Sequence, residues 1–163
     1  AIMEMEAPDF EAMIETALNG QAAALKAFLT PMLLLLLWTA NMWLWMYATR
    51  IPAMQKAQID PDTARHPGTY GDKLPASVRS VADNYNHLHE QPTIFYALMI
   101  YAGLTGGGTA LMMNLGFAYV GIRVLHSLVQ VLSPKVALRF LVFSLGTIVL
   151  FVMAGKEVIR VFL

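Results

Sequence analysis

The chain has 163 residues, 57% of them hydrophobic and 13% charged, with mean hydropathy +0.54, so it is more apolar and less charged than soluble domains and reads as a single-domain integral membrane protein. Eleven basic residues balance eleven acidic ones, which leaves no electrostatic basis for nucleic acid as a partner. No cysteine is present, excluding disulfides, thiolate catalysis by the protein itself and Cys-ligated metals.

The first residue is Ala1, which leaves room for an upstream piece, and residues 1–20 are acidic where a signal peptide is basic. Residues 1–24 carry Glu4, Glu6, Asp9, Glu11 and Glu15, while Phe10, Met13, Ile14, Ala17 and Leu18 recur at amphipathic spacing. The pattern predicts a short helix from Asp9 to Asn19, lying on a membrane surface through its apolar face or capping the bundle. From Leu25 to Ala48 the apolar run is long enough to cross about 30 Å of hydrocarbon. Pro31 suits a first helical turn or a mild kink, Trp43, Trp45 and Tyr47 form an interfacial belt, and Asn41 is the one strongly polar residue inside the span.

Residues 51–77 hold Pro52, Pro61, Pro67, Pro75, Gly68 and Gly71 and most of the loop charges, predicting a polar extramembrane loop. A second helix is predicted from 77 to 104, polar at first, apolar from Thr93 onward and kinked at Pro92. A tight turn at Thr105–Gly108 forces an antiparallel neighbour. A third span over 109–132 ends at Ser133 and Pro134, and a fourth covers 135–155, with the last residues adding a final turn or two at the surface. The expected fold is therefore all-α: residues 1–24 as an amphipathic segment, and 25–163 as a bundle of four transmembrane helices.

Two polar stripes stand out against this apolar background. Arg79, Asp83, Asn86, His87 and Glu90 fall on one face of the second helix, and Arg123, His126, Ser127 and Gln130 on one face of the third. An ionisable side chain at bilayer depth costs roughly 3 kcal/mol on insertion scales, so such groups turn inward to a partner or a wet cavity. Glu90 and Arg123 are natural ion-pair partners across the two helices, as a register-fixing pair or as part of a site. His66, His87, His89 and His126 offer little for a metal, since His87 and His89 point to different faces and imidazole is the only soft ligand; no metal is expected. The methionines read as core or lipid-facing filler.

Basic residues are concentrated on one side. Arg50, Lys56, Arg65, Lys73, Arg79, Lys135 and Arg139 lie in or beside the first and third loops, against Lys26, Lys156 and Arg160 on the other. The positive-inside rule puts the long first loop in the cytoplasm and both termini opposite.

Asp83, Asn84 and Tyr85, then Leu88, Glu90 and Pro92, then Phe95, Tyr96, Ala97 and Leu98, with Gly-Ile-Arg-Val-Leu-His-Ser over residues 121–127, give the chain its likeness to a known family. It resembles the MAPEG family, the membrane-associated proteins in eicosanoid and glutathione metabolism, and within it a bacterial branch of uncharacterised members. The resemblance implies a trimer of four-helix subunits in a bacterial inner membrane, with glutathione held between neighbours as co-substrate of a transferase or peroxidase acting on lipophilic substrates. The catalytic members' Arg, Asn and Glu of the second helix, anchored on Glu90, fall on Asp83 and His87; a Tyr of their third helix falls on Gln130. By resemblance, His87, Glu90, Arg123, His126 and Gln130 bind glutathione. Arg139, near the start of the fourth helix with Lys135, is the catalytic residue that stabilises the thiolate. The alternative is a non-catalytic accessory or scaffold subunit of a larger membrane protein complex, contacting lipids and partner helices.

Overall fold

A computed structural model describes residues 9–163; the acidic residues Glu4 and Glu6 lie outside that range. The described residues form helices α1 (Phe10–Lys56), α2 (Pro67–Tyr70), a 3-10 turn (Gly71–Lys73), α3 (Ala76–His87), α4 (Gln91–Leu104), α5 (Ala110–Leu132) and α6 (Val136–Phe162), with no strand among them. Three helices, α1, α5 and α6, are long and apolar enough to cross a membrane.

The expected surface helix and first span are one helix. Asp9 caps it, its carboxylate accepting from the Glu11 amide at 3.1 Å, and 47 residues follow without a break. Pro31 and Pro52 lie inside this helix instead of starting or ending it. Each removes one backbone hydrogen bond, but the turns on both sides keep theirs, and Pro31 is buried where α1 meets Gly116 of α5, 3.4 Å from where a Cβ there would sit. The loop after α1 consequently starts at Ala57 and not at Ile51.

The expected second helix is broken. α3 ends at His87, Leu88 to Glu90 form a turn, and α4 starts at Gln91. Glu90 has φ −94° and ψ −99°, outside the helical basin. Pro92 therefore sits in the first turn of α4, where its missing N–H has no intrahelical partner to lose, and no mid-helix kink is needed. At 14 residues α4 is about 21 Å long, short of the hydrocarbon thickness by itself.

The ends of α5 follow local chemistry. The Thr109 hydroxyl accepts from the Met112 amide at 3.2 Å as N-cap, and Pro134 prevents continuation past Ser133. One face of α5 is buried along its whole length: Met112, Gly116, Tyr119 and Val120 first, then Arg123, His126, Ser127 and Gln130. It packs against α1, α3 and α6, and α4 packs against α1 and α6. The apolar core joins Phe28, Leu35 and Met42 of α1 with Leu88, Phe95 and Met99, and with Met112 and Tyr119 of α5. Phe95 and Tyr119 stack with ring centroids 4.6 Å apart.

The end of the bundle opposite the long loop is closed by a charged clamp. Glu157, buried on α6, accepts from Arg160, whose other nitrogens donate to the carbonyl and hydroxyl of Thr105 at 2.8 and 2.7 Å. Gly107 lies beneath it: a Cβ there would sit 2.5 Å from Glu157 Oε1, so the carboxylate would have to move to admit any side chain.

Candidate functional site

Three of the residues singled out in the sequence line one cleft of about 200 Å³, formed by the end of α3, the C-terminal half of α5 and the start of α6. His87, His126 and Arg139 supply its polar wall, and Val136, Phe140 and Phe143 its apolar one. Its position follows from the chain ends that build it. α3 stops at His87 because the chain turns there, and the Ser133–Pro134 break returns α6 with Arg139 in its first turn, alongside α5.

The His87 and His126 rings stand nearly perpendicular, 6.4 Å between centroids. Phe143 tilts against His126 at 5.9 Å. On the rim, His87 Nδ1 contacts Glu90 Oε2 at 2.9 Å. Behind the cleft, Arg123 Nη1 donates to Nδ1 of His126 at 3.0 Å. A guanidinium has no acceptor, so this bond leaves the neutral imidazole proton on Nε2, the other edge of the ring.

The Glu90–Arg123 ion pair read from the sequence does not form. The break between α3 and α4 turns the Glu90 side chain outward, where it is 65% exposed and bound to His87. Arg123 is 1% exposed and takes a histidine as its partner. Its Nε and Nη2, both polar ends of Asn84, the Tyr96 hydroxyl and Gln130 Oε1 are buried without a protein hydrogen bond. Gln130 is buried away from the cleft lining, whereas Ser127 accepts from the Trp38 indole at 3.0 Å and ties α5 to α1.

The second-helix stripe is thus divided between two places. His87 lines the cleft and Glu90 contacts it from outside the lining, while Arg79, Asp83 and Asn86 line a different cavity beside the long loop. His89, in the turn after α3, bonds the Tyr85 carbonyl of that helix at 2.9 Å, and among the described residues no group of His, Asp and Glu is arranged to hold a metal. Sequence reasoning missed Val136, Phe140 and Phe143. Their signal was present, since 136, 139, 140 and 143 share one face of a helix, but on an apolar span such a face is indistinguishable from one that meets lipid.

A family model for MAPEG matches residues 28–159, which spans the helices carrying every residue of this cleft. The chain belongs to the MAPEG family. No curated protein and no solved structure gives a match. In this MAPEG protein the matched region starts at Phe28 and takes in every residue that lines the cleft, so the cleft is part of the family domain and not an addition to it.

Proposed function

We propose that this MAPEG membrane protein binds glutathione at the His87–His126–Arg139 cleft and uses it in a transferase or peroxidase reaction on lipophilic substrates. The observation that carries the reading is the convergence of two imidazoles and a guanidinium from three helices on one opening whose other wall is aromatic. Glutathione offers carboxylates to Arg139 and an ammonium to Glu90, which His87 holds at the rim. Its thiol, with an ordinary pKa of about 8.5, is a nucleophile only as the thiolate, which a neighbouring guanidinium stabilises. The thiolate attacks an electrophilic carbon and displaces its leaving group, or attacks a peroxide oxygen, breaking the O–O bond so that glutathione is left as the sulfenic acid and the alkoxide, protonated by water, leaves as the alcohol. Phe140, Phe143 and Val136 give an apolar acceptor a surface reached from the bilayer.

The same reading makes α3 and α4 together the fourth crossing segment, the assembly a homotrimer that closes the cleft with a neighbouring chain, and the bacterial inner membrane its location, the 57–75 loop facing the cytoplasm. The test is purified protein in detergent with millimolar glutathione and chlorodinitrobenzene. A higher unfolding midpoint with glutathione and conjugate formation that depends on Arg139 support it. Absence of both, or a stoichiometric unrelated partner with no homotrimer, overturns it.

A further inference from the structure

A second polar cavity lies away from the cleft, where the end of α1, the 57–75 loop and one face of α3 meet. It measures about 390 Å³, and its polar lining comprises Arg50, Tyr70, Asp72, Arg79, Asp83 and Asn86. Two cations face two anions, so neither a simple anion nor a simple cation suits it. The charges are unequally engaged. Arg79 and Asp72 approach at 3.7 Å as an exposed pair. Arg50 donates to the Tyr70 hydroxyl, and among the described residues it has no carboxylate within ion-pair distance. Asp83 has no hydrogen-bond or ion-pair partner among them either. One guanidinium that lacks a carboxylate, held by Tyr70, and one carboxylate that lacks a cation, across a single cavity, match a ligand carrying both an anion and an N–H cation.

The depth of the cavity narrows the choice. Trp43 and Tyr47 lie seven and three residues before Arg50, on the same side of α1. Their rings meet edge to face at 4.8 Å, and they are 44% and 43% exposed. Exposed Trp and Tyr at the end of an apolar span mark the headgroup level, and Arg50 is one helical turn, about 5 Å, beyond Tyr47. The geometry points to a phosphoethanolamine group in this cavity, carried by a phospholipid: its phosphate lies on Arg50 and Arg79, its ammonium on Asp83 and the Asn86 carbonyl. Arg50 supplies the fork geometry that phosphate favours. A choline headgroup lacks N–H donors for Asp83, and a glycerol headgroup lacks the cation.

Native mass spectrometry of the full chain released from nanodiscs of equal phosphatidylethanolamine, phosphatidylglycerol and phosphatidylcholine content tests this directly. Phosphatidylethanolamine is expected to be retained about tenfold over either competitor, the worth of one charged hydrogen bond. Asp83→Asn, at an exposed position, should bring ethanolamine and glycerol lipids to parity, and Arg50→Gln should lower retention of both. Equal retention of the three lipids by the parent protein, or a preference unchanged by Asp83→Asn in protein that elutes and melts like the parent, overturns the assignment. Soluble glycerophosphoethanolamine separates the two sources of the group: displacement of the lipid only at large excess supports a membrane ligand, while saturation by the soluble compound with no lipid retained overturns that source.

Discussion

Arg123 and His126, one turn apart on α5 and both almost wholly buried, are joined by a 3.0 Å hydrogen bond from the guanidinium to Nδ1 of the imidazole. The bond links the polar interior of the bundle to the cleft wall, because His126 reaches both. Removing the acceptor leaves the buried Arg123 Nη1 without this hydrogen bond. His126→Ala is therefore expected to cost about 1–3 kcal/mol, with His87→Ala costing less because His87 lies on an exposed rim. Thermal unfolding of the two variants in one detergent checks the order.

Arg123→Lys tests geometry at the same place. An ammonium on a flexible stem cannot reproduce the planar fork, so the variant should lose stability although charge is kept. An unfolding midpoint equal to that of the parent protein would show the His126 contact to be dispensable.

At the opposite end, Gly107→Ala should open the Arg160 clamp. The added carbon meets Glu157 Oε1 at 2.5 Å and Arg160 Nε at 2.9 Å, so the pair must shift off Thr105. The unfolding midpoint is expected to fall by about 3 °C or more. Gly106→Ala should also destabilise, through its φ of +83° and not through crowding; comparing each with Thr105→Val separates clamp from backbone.

Gln91 occupies the first position of α4 and bridges two other helices, donating to Thr147 of α6 at 2.8 Å and accepting from the Tyr119 hydroxyl at 3.2 Å. Interhelical hydrogen bonds in membranes average about 0.6 kcal/mol. Gln91→Leu, which removes both, is expected to lower stability by roughly 1 kcal/mol, and restoring only one partner by Gln91→Thr should not recover it.

For the cleft, Arg139→Ala should reduce glutathione conjugation at least tenfold, on the order of a lost transition-state charge contact, with Arg139→Lys between the two. Because Arg139 is partly exposed on the first turn of α6, folding should be unaffected; an unchanged turnover at equal unfolding midpoint would remove it from the chemistry.

The sequence made α5 legible nearly to the residue, because Thr109 and the Ser133–Pro134 pair act locally and do not depend on the rest of the bundle. The inward polar face of α5 was legible for the same reason that it exists: hydrocarbon excludes such groups from its outer surface. The Glu90–Arg123 pairing follows only from a continuous helix, which the chain does not form, and a proline two residues downstream of Glu90 is compatible with a kink or with a first turn. Only the packing of Leu88 and Pro92 into the core selects the second. Pro52 misled in the opposite sense, since it is a breaker locally and does not break α1, while Pro31, read as a first turn or a mild kink, lies well inside that helix. The Glu157–Arg160 half of the clamp is an i,i+3 pair that the sequence offers, but its closure onto Thr105 had no sequence signal, as Arg160 and Thr105 are 55 residues apart and meet only once α6 has packed.

The unbroken 47-residue α1 is about 70 Å of rigid rod, more than twice the thickness of the oily layer it pierces. Its first four turns must therefore stand in the headgroups or the water, presenting Phe10, Met13, Ile14 and Leu18 there. A spectroscopic label on that stalk will report tilting of the whole bundle, magnified by the distance from its anchor.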